Sequence, residues 1–229
     1  MRLTPSLKLG LIAFLAVDLA LASVFGALYF LRSDLKLGED LRNVGATIYQ
    51  EPFQIKTFEL VDQNSRAYVS EDLEGQWSLI FFGFTSCPDI CPITMAELKK
   101  FADLWSDAES SKELDVILAT VDPNNDNPSV LKVYLANFNP NFIGLTGRQV
   151  DLAALAESLF VGYGDREVTS NHLPGRGEHG TGKGLESSAI DHSSHISVIS
   201  PEGQLFAVIR PPHRARDLRK ALELIIASH

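Results

Sequence analysis

Apolar positions along this chain change their period several times, and each change predicts an element. Leu9–Leu31 is a run of 23 residues with one charge, Asp18. About 20 apolar residues suffice to cross a bilayer, so this stretch is expected to be a single transmembrane helix. Ser33–Pro52 is polar and turn-rich and reads as a stalk. From Phe53 the pattern alternates, with Phe53, Ile55, Phe58 and Leu60 apolar; Asp62-Gln63-Asn64-Ser65 turns the chain and Ala67–Val69 returns it, an expected hairpin ahead of the core. Trp77–Phe84 is almost continuously apolar and aromatic, the signature of a strand buried on both faces. Helical spacing follows from Ile93, continuing to about Ser111, and Leu114–Val121 is the next strand. Strand, helix and parallel strand make a βαβ unit with a right-handed crossover.

Further on, Ser129 is the expected cap of a helix reaching about Asn139, and Phe142–Leu145 a short strand. Asp151–Phe160 carries Leu152, Leu155, Ala156 and Leu159 on one helical face. Tyr163–Ser188 has no periodicity and holds six glycines together with His172 and His179, so it reads as a surface loop. Ile196–Ile199, a turn at Pro201-Glu202-Gly203, Leu205–Ile209 and an amphipathic Ala215–Ala227 complete a ββα unit. The expected division is residues 1–8 as an N-terminal tail, 9–31 as the anchor, 32–52 as the linker and 53–229 as one α/β domain.

The candidate chemistry sits where the buried strand meets its helix. Both cysteines of the chain, Cys87 and Cys91, lie in that turn, in Thr85-Ser86-Cys87-Pro88-Asp89-Ile90-Cys91-Pro92. Residues four apart share a helical face, so a helix entered near Cys91 brings Cys87 above it. The amides of a helix N-terminus favour a thiolate, and Pro92 is tolerated in a first turn. Two such thiols can close a disulfide or hold a soft ion, Cu(I) above zinc. Asp122, at the end of the neighbouring strand, lies on the sheet edge where open α/β folds build sites. His192 and His195 differ by three positions, so both cannot face one site from an extended segment. His213 and His229 read as solvated.

Charge narrows the partners. The chain carries a formal −9, and its first 36 residues hold four basic and two acidic side chains, so the remainder is more acidic than the whole. An acidic domain is a poor match for nucleic acid. Arg2 and Lys8 precede the apolar run, and Arg32 and Lys36 follow it mixed with acids, which gives a slight preference for a cytoplasmic N-terminus. Asp18 within the span is costly on insertion scales. Ala20-Leu21-Ala22 is similar to a signal-peptidase site, but the apolar run continues past it, which favours an uncleaved anchor.

The octet Thr85–Pro92 resembles the signature of the Sco/SenC family, as do Val121-Asp122-Pro123 with Asp126 and Pro128, and Asp191-His192-Ser193 ahead of a strand. The likeness runs from about Phe53 to the C-terminus. It implies a thioredoxin-like α/β fold and a copper ion, Cu(I) or Cu(II), held by Cys87, Cys91 and His192. Asp89, Asp122 and Asp191 are candidates for the surroundings of those ligands, Asp122 with the alternative that Asp122-Pro123 simply ends a strand and begins a turn, and His195 is in reserve. It also implies assembly of the CuA centre in cytochrome c oxidase subunit II, with another copper chaperone and a thiol reductant as further partners. The domain would lie in the periplasm on an inner-membrane anchor. The alternative is a thiol–disulfide reductase that keeps the CuA cysteines reduced, with Cys87 and Cys91 as the redox pair. A membrane-coupled copper or redox sensor ranks last, since the sequence offers no signalling output. This chain departs from the family pattern at Ser188, where Tyr is usual, and at Ser200-Pro201, where Asp-Pro is usual.

Overall fold

The computed structural model describes residues 14, 18–26, 35–106, 113–162 and 194–229. It divides into two units, Met1–Val44 and Gly45–His229. In the first, residues 18–26 and 35–43 are helical. Most of the expected membrane span at 9–31 lies outside the described residues. Among the described residues no helix is long and apolar enough to cross a membrane.

The second unit is built on one mixed sheet. Its strands are β1 (Ala46–Gln54), β2 (Glu59–Asp62), β3 (Ala67–Val69), β4 (Trp77–Gly83), β5 (Leu114–Thr120), β6 (Ile143–Thr146), β7 (Ile196–Ile199) and β8 (Gln204–Ile209). Their order across the sheet is β1-β8-β7-β4-β5-β6-β2-β3. The helices are α1 (Ile90–Ser106), α2 (Pro128–Ala136), α3 (Gln149–Ser158) and α4 (Ala215–Ala227). β4 lies parallel to β5, and β5 to β6, as the βαβ reading requires. β7 returns antiparallel to β4, and β8 antiparallel to β7.

Every residue of β4 is buried, because helices cover both faces of the sheet centre. Alternate residues of a strand face opposite ways. Ile80 and Phe82 join Ile117, Ala119 and Ile199 in a core with Leu152, Leu155 and Leu159 of α3 and its C-terminal end. Phe81 and Gly83 face the other side, where Cys91 of α1 packs, and α1 packs on α4. α2 lies on that side too. Gly144, paired with Leu118, faces it so closely that a Cβ there would come within 2.8 Å of Leu135 Cδ1.

Three expectations change. The hairpin does form, as β2 and β3, but it is not set before the core: β2 pairs with β6 and extends the sheet. Residues 46–52, read as linker, belong to β1, which pairs antiparallel with β8 at the other edge. Glu51 and Pro52 hid it, yet Pro is tolerated in an edge strand, and the register shifts between Ile48 and Phe53. The third concerns α2, which is capped by Asn127 rather than Ser129. The Asn127 Oδ1 accepts from the Val130 amide at 3.1 Å, and Pro128 takes the first helical turn.

Candidate metal centre

β4 ends at Gly83, and the chain turns through Thr85–Asp89 into α1. The turn is tight: the Cys87 amide donates to the Phe84 carbonyl at 3.3 Å. Cys91, second residue of α1, is fully buried, whereas Cys87 is partly exposed above it. The sulfurs lie within hydrogen-bonding reach of each other. Gly83 makes room for this arrangement, since a Cβ there would stand 3.0 Å from the Cys91 Sγ, 3.0 Å from Phe81 Cε1 and 3.2 Å from Leu118 Cδ1.

The two thiols are electrostatically unlike. Burial raises the Cys87 pKa, but hydrogen bonds from the Asp89 amide, the Cys91 thiol and the Cys91 and Ile90 amides outweigh it, and the net shift is downward. This is the helix N-terminus acting on the residue above it. Burial pushes the Cys91 thiol up to about 12, the Cys87 sulfur adds to that, and the Phe84 backbone offsets part of it. The sequence reading treated the thiols as equivalent; depth separates them.

A buried carboxylate holds the turn. Asp126 is fully buried. Its Oδ2 accepts from the Thr85 amide at 3.0 Å and from Thr120 Oγ1 at 2.6 Å, and its Oδ1 from Thr85 Oγ1. It thereby ties the start of the cysteine turn to the end of β5. Asp122 shapes the loop that presents it: the Asp122 carbonyl accepts from the Asp126 amide at 2.9 Å, and its carboxylate from Asn125 Nδ2 at 2.8 Å. Asp89 contributes its amide, its side chain being exposed. Asp126 was legible only as part of the family likeness, and nothing in its local sequence marked it as the residue that grips the turn.

His192 and Asp191 lie outside the described residues, as do His172 and His179. Among the described residues no three metal-ligating side chains cluster. What is described is the entry to β7. Ile196 pairs with Phe81, so β7 begins at the end of the sheet where β4 delivers the cysteines. Two imidazoles grip that entry: His213 Nε2 bonds the Ser194 carbonyl at 2.7 Å, and His195 Nε2 bonds the Leu159 carbonyl at 3.1 Å. Each ring is a donor there, so each keeps its proton on Nε2. Burial lowers both pKa values, while the carbonyl bonds raise them in part. His213 is therefore not solvated, being 6% exposed with its ring against Phe81. His229 pairs with Glu202 at 2.9 Å and stacks edge-on with Trp77.

A parallel βαβ core with a dithiol at the strand-to-helix turn defines a thioredoxin-like dithiol domain. The SCO1/SenC family model matches residues 47–227, and the chain belongs to that family. A Stutzerimonas stutzeri protein, provisionally named as copper-binding, is 35% identical over 173 residues, 75% of this chain and 76% of its own. The SCO2-like protein RT0576 of Rickettsia typhi is 32% identical over 195 residues, 82% of this chain and 85% of its own. The crystal structure of yeast Sco1 with copper bound superposes with a TM-score of 0.64 at 27% identity, covering 78% of this chain and 91% of that one. The residues in hand fit such cargo. Two adjacent sulfurs are a soft donor pair, suited to Cu(I) over hard oxygen-seeking ions.

Proposed function

We propose that this protein carries copper for assembly of the CuA centre in cytochrome c oxidase subunit II. Cys87, Cys91 and His192 hold the ion, and residues 9–31 anchor the domain on the periplasmic side of the inner membrane. The observation that carries the reading is the sulfur pair at the α1 N-terminus, tied down by Asp126. Copper-bound yeast Sco1 and the family resemblance support the cargo. The place of β7 supports the third ligand. Ser194 stands two residues after His192 in sequence, and two residues of chain span at most about 7 Å.

The residues divide the work by depth. Cys87, partly exposed and helped by three amides, is the first sulfur to meet an incoming ion as thiolate. Cys91 gives up its proton only as the ion arrives, because its burial disfavours free negative charge; binding therefore releases protons. Three protein ligands leave a position through which an acceptor site can exchange ligands and take the ion. The same asymmetry favours a second reading, thiol–disulfide exchange with the CuA cysteines, in which Cys87 attacks and Cys91 resolves the mixed disulfide.

The test is Cu(I) titration of the reduced full-length chain in detergent against a competing chelator, beside Cys87→Ser, Cys91→Ser and His192→Ala. One equivalent bound tightly and weakened in all three variants supports the carrier. Weak binding indifferent to His192→Ala, together with rapid exchange with a disulfide substrate, supports the reductase and overturns the carrier.

A further inference from the structure

Neither reading above gives His213 a role. It lies in the loop between β8 and α4, buried, with its ring edge-on to Phe81. That loop is braced at both ends. The Arg210 amide donates to the Gly45 carbonyl at 3.0 Å, and the Ala215 amide to the Glu97 carboxylate of α1 at 2.9 Å. A side chain packed on so fixed a loop holds its partner at a set place. The partner is the Ser194 carbonyl, which accepts from His213 Nε2 at 2.7 Å across 19 residues of sequence. Ser194 precedes Ile196, the first paired residue of β7, and this side chain holds its carbonyl ahead of the sheet ladder. Phe81 connects the imidazole to the cysteines. Its Cε1 and the Cys91 Sγ each stand 3.0 Å from the point that a Cβ on Gly83 would occupy. One ring thus neighbours both the buried sulfur and His213.

We propose that His213 is a positioning residue for the third ligand. By holding the Ser194 carbonyl it fixes the chain entering β7 against the framework that carries Cys87 and Cys91. This rests on the copper reading, in which His192 is a ligand. Two residues of chain span at most about 7 Å, so a fixed Ser194 confines His192 to a small volume. Without the bond, backbone ahead of β7 must be ordered as the ion binds, and ordering it at that moment subtracts from affinity. The sulfurs are held separately, by the cysteine turn and by α1. Loss of the bond therefore acts on the histidine arm of the site and leaves the thiols as they are, which separates positioning from general support of the fold.

The test titrates Cu(I) into the reduced full-length chain in detergent against a competing chelator, comparing His213→Gln with His213→Asn. The Gln amide nitrogen can stand where Nε2 stands and donate to the same carbonyl; the Asn nitrogen stands where Nδ1 does and falls short of it. The expected affinity is within about threefold of the parent for Gln and about tenfold lower for Asn, the effect of ordering one backbone residue on binding rather than beforehand. Iodoacetamide should label Cys87 at the parent's rate in both variants. In a His192→Ala background, His213→Asn should cost nothing further, since the arm it positions has lost its ligand. The proposal is overturned if Asn binds within about twofold of the parent, if Gln is as weak as Asn, or if the Asn loss persists without His192. Should His213→Asn fail to fold, His213→Leu, which also lacks the donor, takes its place under the same criteria. If His192→Ala binds copper as tightly as the parent, the ligand reading falls and this inference with it. If His192→Ala loses binding while His213→Asn does not, only the inference falls.

Discussion

Asp126 offers the sharpest test of how the cysteine turn is held. Replacing it with Ala removes the acceptor for Thr85 N, Thr85 Oγ1 and Thr120 Oγ1 in one step. A hydrogen bond to a charged group contributes about 1.5–3 kcal/mol net. Three such bonds would sum to roughly 4.5–9 kcal/mol, but bonds sharing one acceptor are not additive, and the Thr85 groups are only part-buried. The expected cost of Asp126→Ala is therefore about 3–5 kcal/mol. Asp126→Asn should cost far less. With its oxygen at the Oδ2 position it still accepts from the Thr85 amide and Thr120, and its NH2 can donate to a rotated Thr85 hydroxyl. Only the charge assistance is lost, about 1–2 kcal/mol. Urea unfolding followed by tryptophan fluorescence, with the slopes compared, measures both variants. If Asp126→Ala costs less than about 1 kcal/mol, or if Asn costs as much as Ala, the turn is not held in this way.

Two further outcomes follow from the same geometry. Because the Cys87 pKa is lowered and that of Cys91 pushed up to about 12, a larger fraction of Cys87 than of Cys91 is thiolate at neutral pH. Brief iodoacetamide treatment of the folded protein followed by peptide mass spectrometry should find Cys87 modified well ahead of Cys91, with Cys91 catching up only at strongly alkaline pH; equal labelling at pH 7 would contradict it. Gly83→Ala should cost about 1–3 kcal/mol by overpacking, since its Cβ meets the Cys91 Sγ and Phe81 at 3.0 Å. It should also slow formation of the Cys87–Cys91 disulfide, and a variant as stable and as readily oxidised as the parent would show that the sulfur has room to move.

Much of the architecture was written in local pattern. β4 is buried on both faces, so its residues are apolar without interruption and the strand is legible at sight. α4 carries its apolar residues on one face, and β7 and β8 flank a turn at Pro201–Gly203, so these too could be read from order alone. β1 could not. An edge strand has one neighbour and few buried positions, so Glu51 and Pro52 are allowed in it, and only pairing with β8 makes it a strand. The same holds for the hairpin, whose turn is local but whose attachment to β6 is not.

For the site, the sequence by itself determined the sulfurs: two thiols at i and i+4 astride a helix start, beside a strand too apolar to be anywhere but the centre. It could not determine what distinguishes them, because depth is a property of the packed molecule. Gly83, Phe81 and α1 enclose Cys91 and leave Cys87 at the rim, and solvation then drives the two acidities apart. Nor could it assign roles to Asp126 or His213. Asp126 stands 41 residues from the Thr85 it holds, and His213 stands 19 residues from the Ser194 carbonyl it binds. Only the sheet order, by bringing the ends of β4 and β5 and the start of β7 to one edge, turns residues that are ordinary in the sequence into the walls of one site.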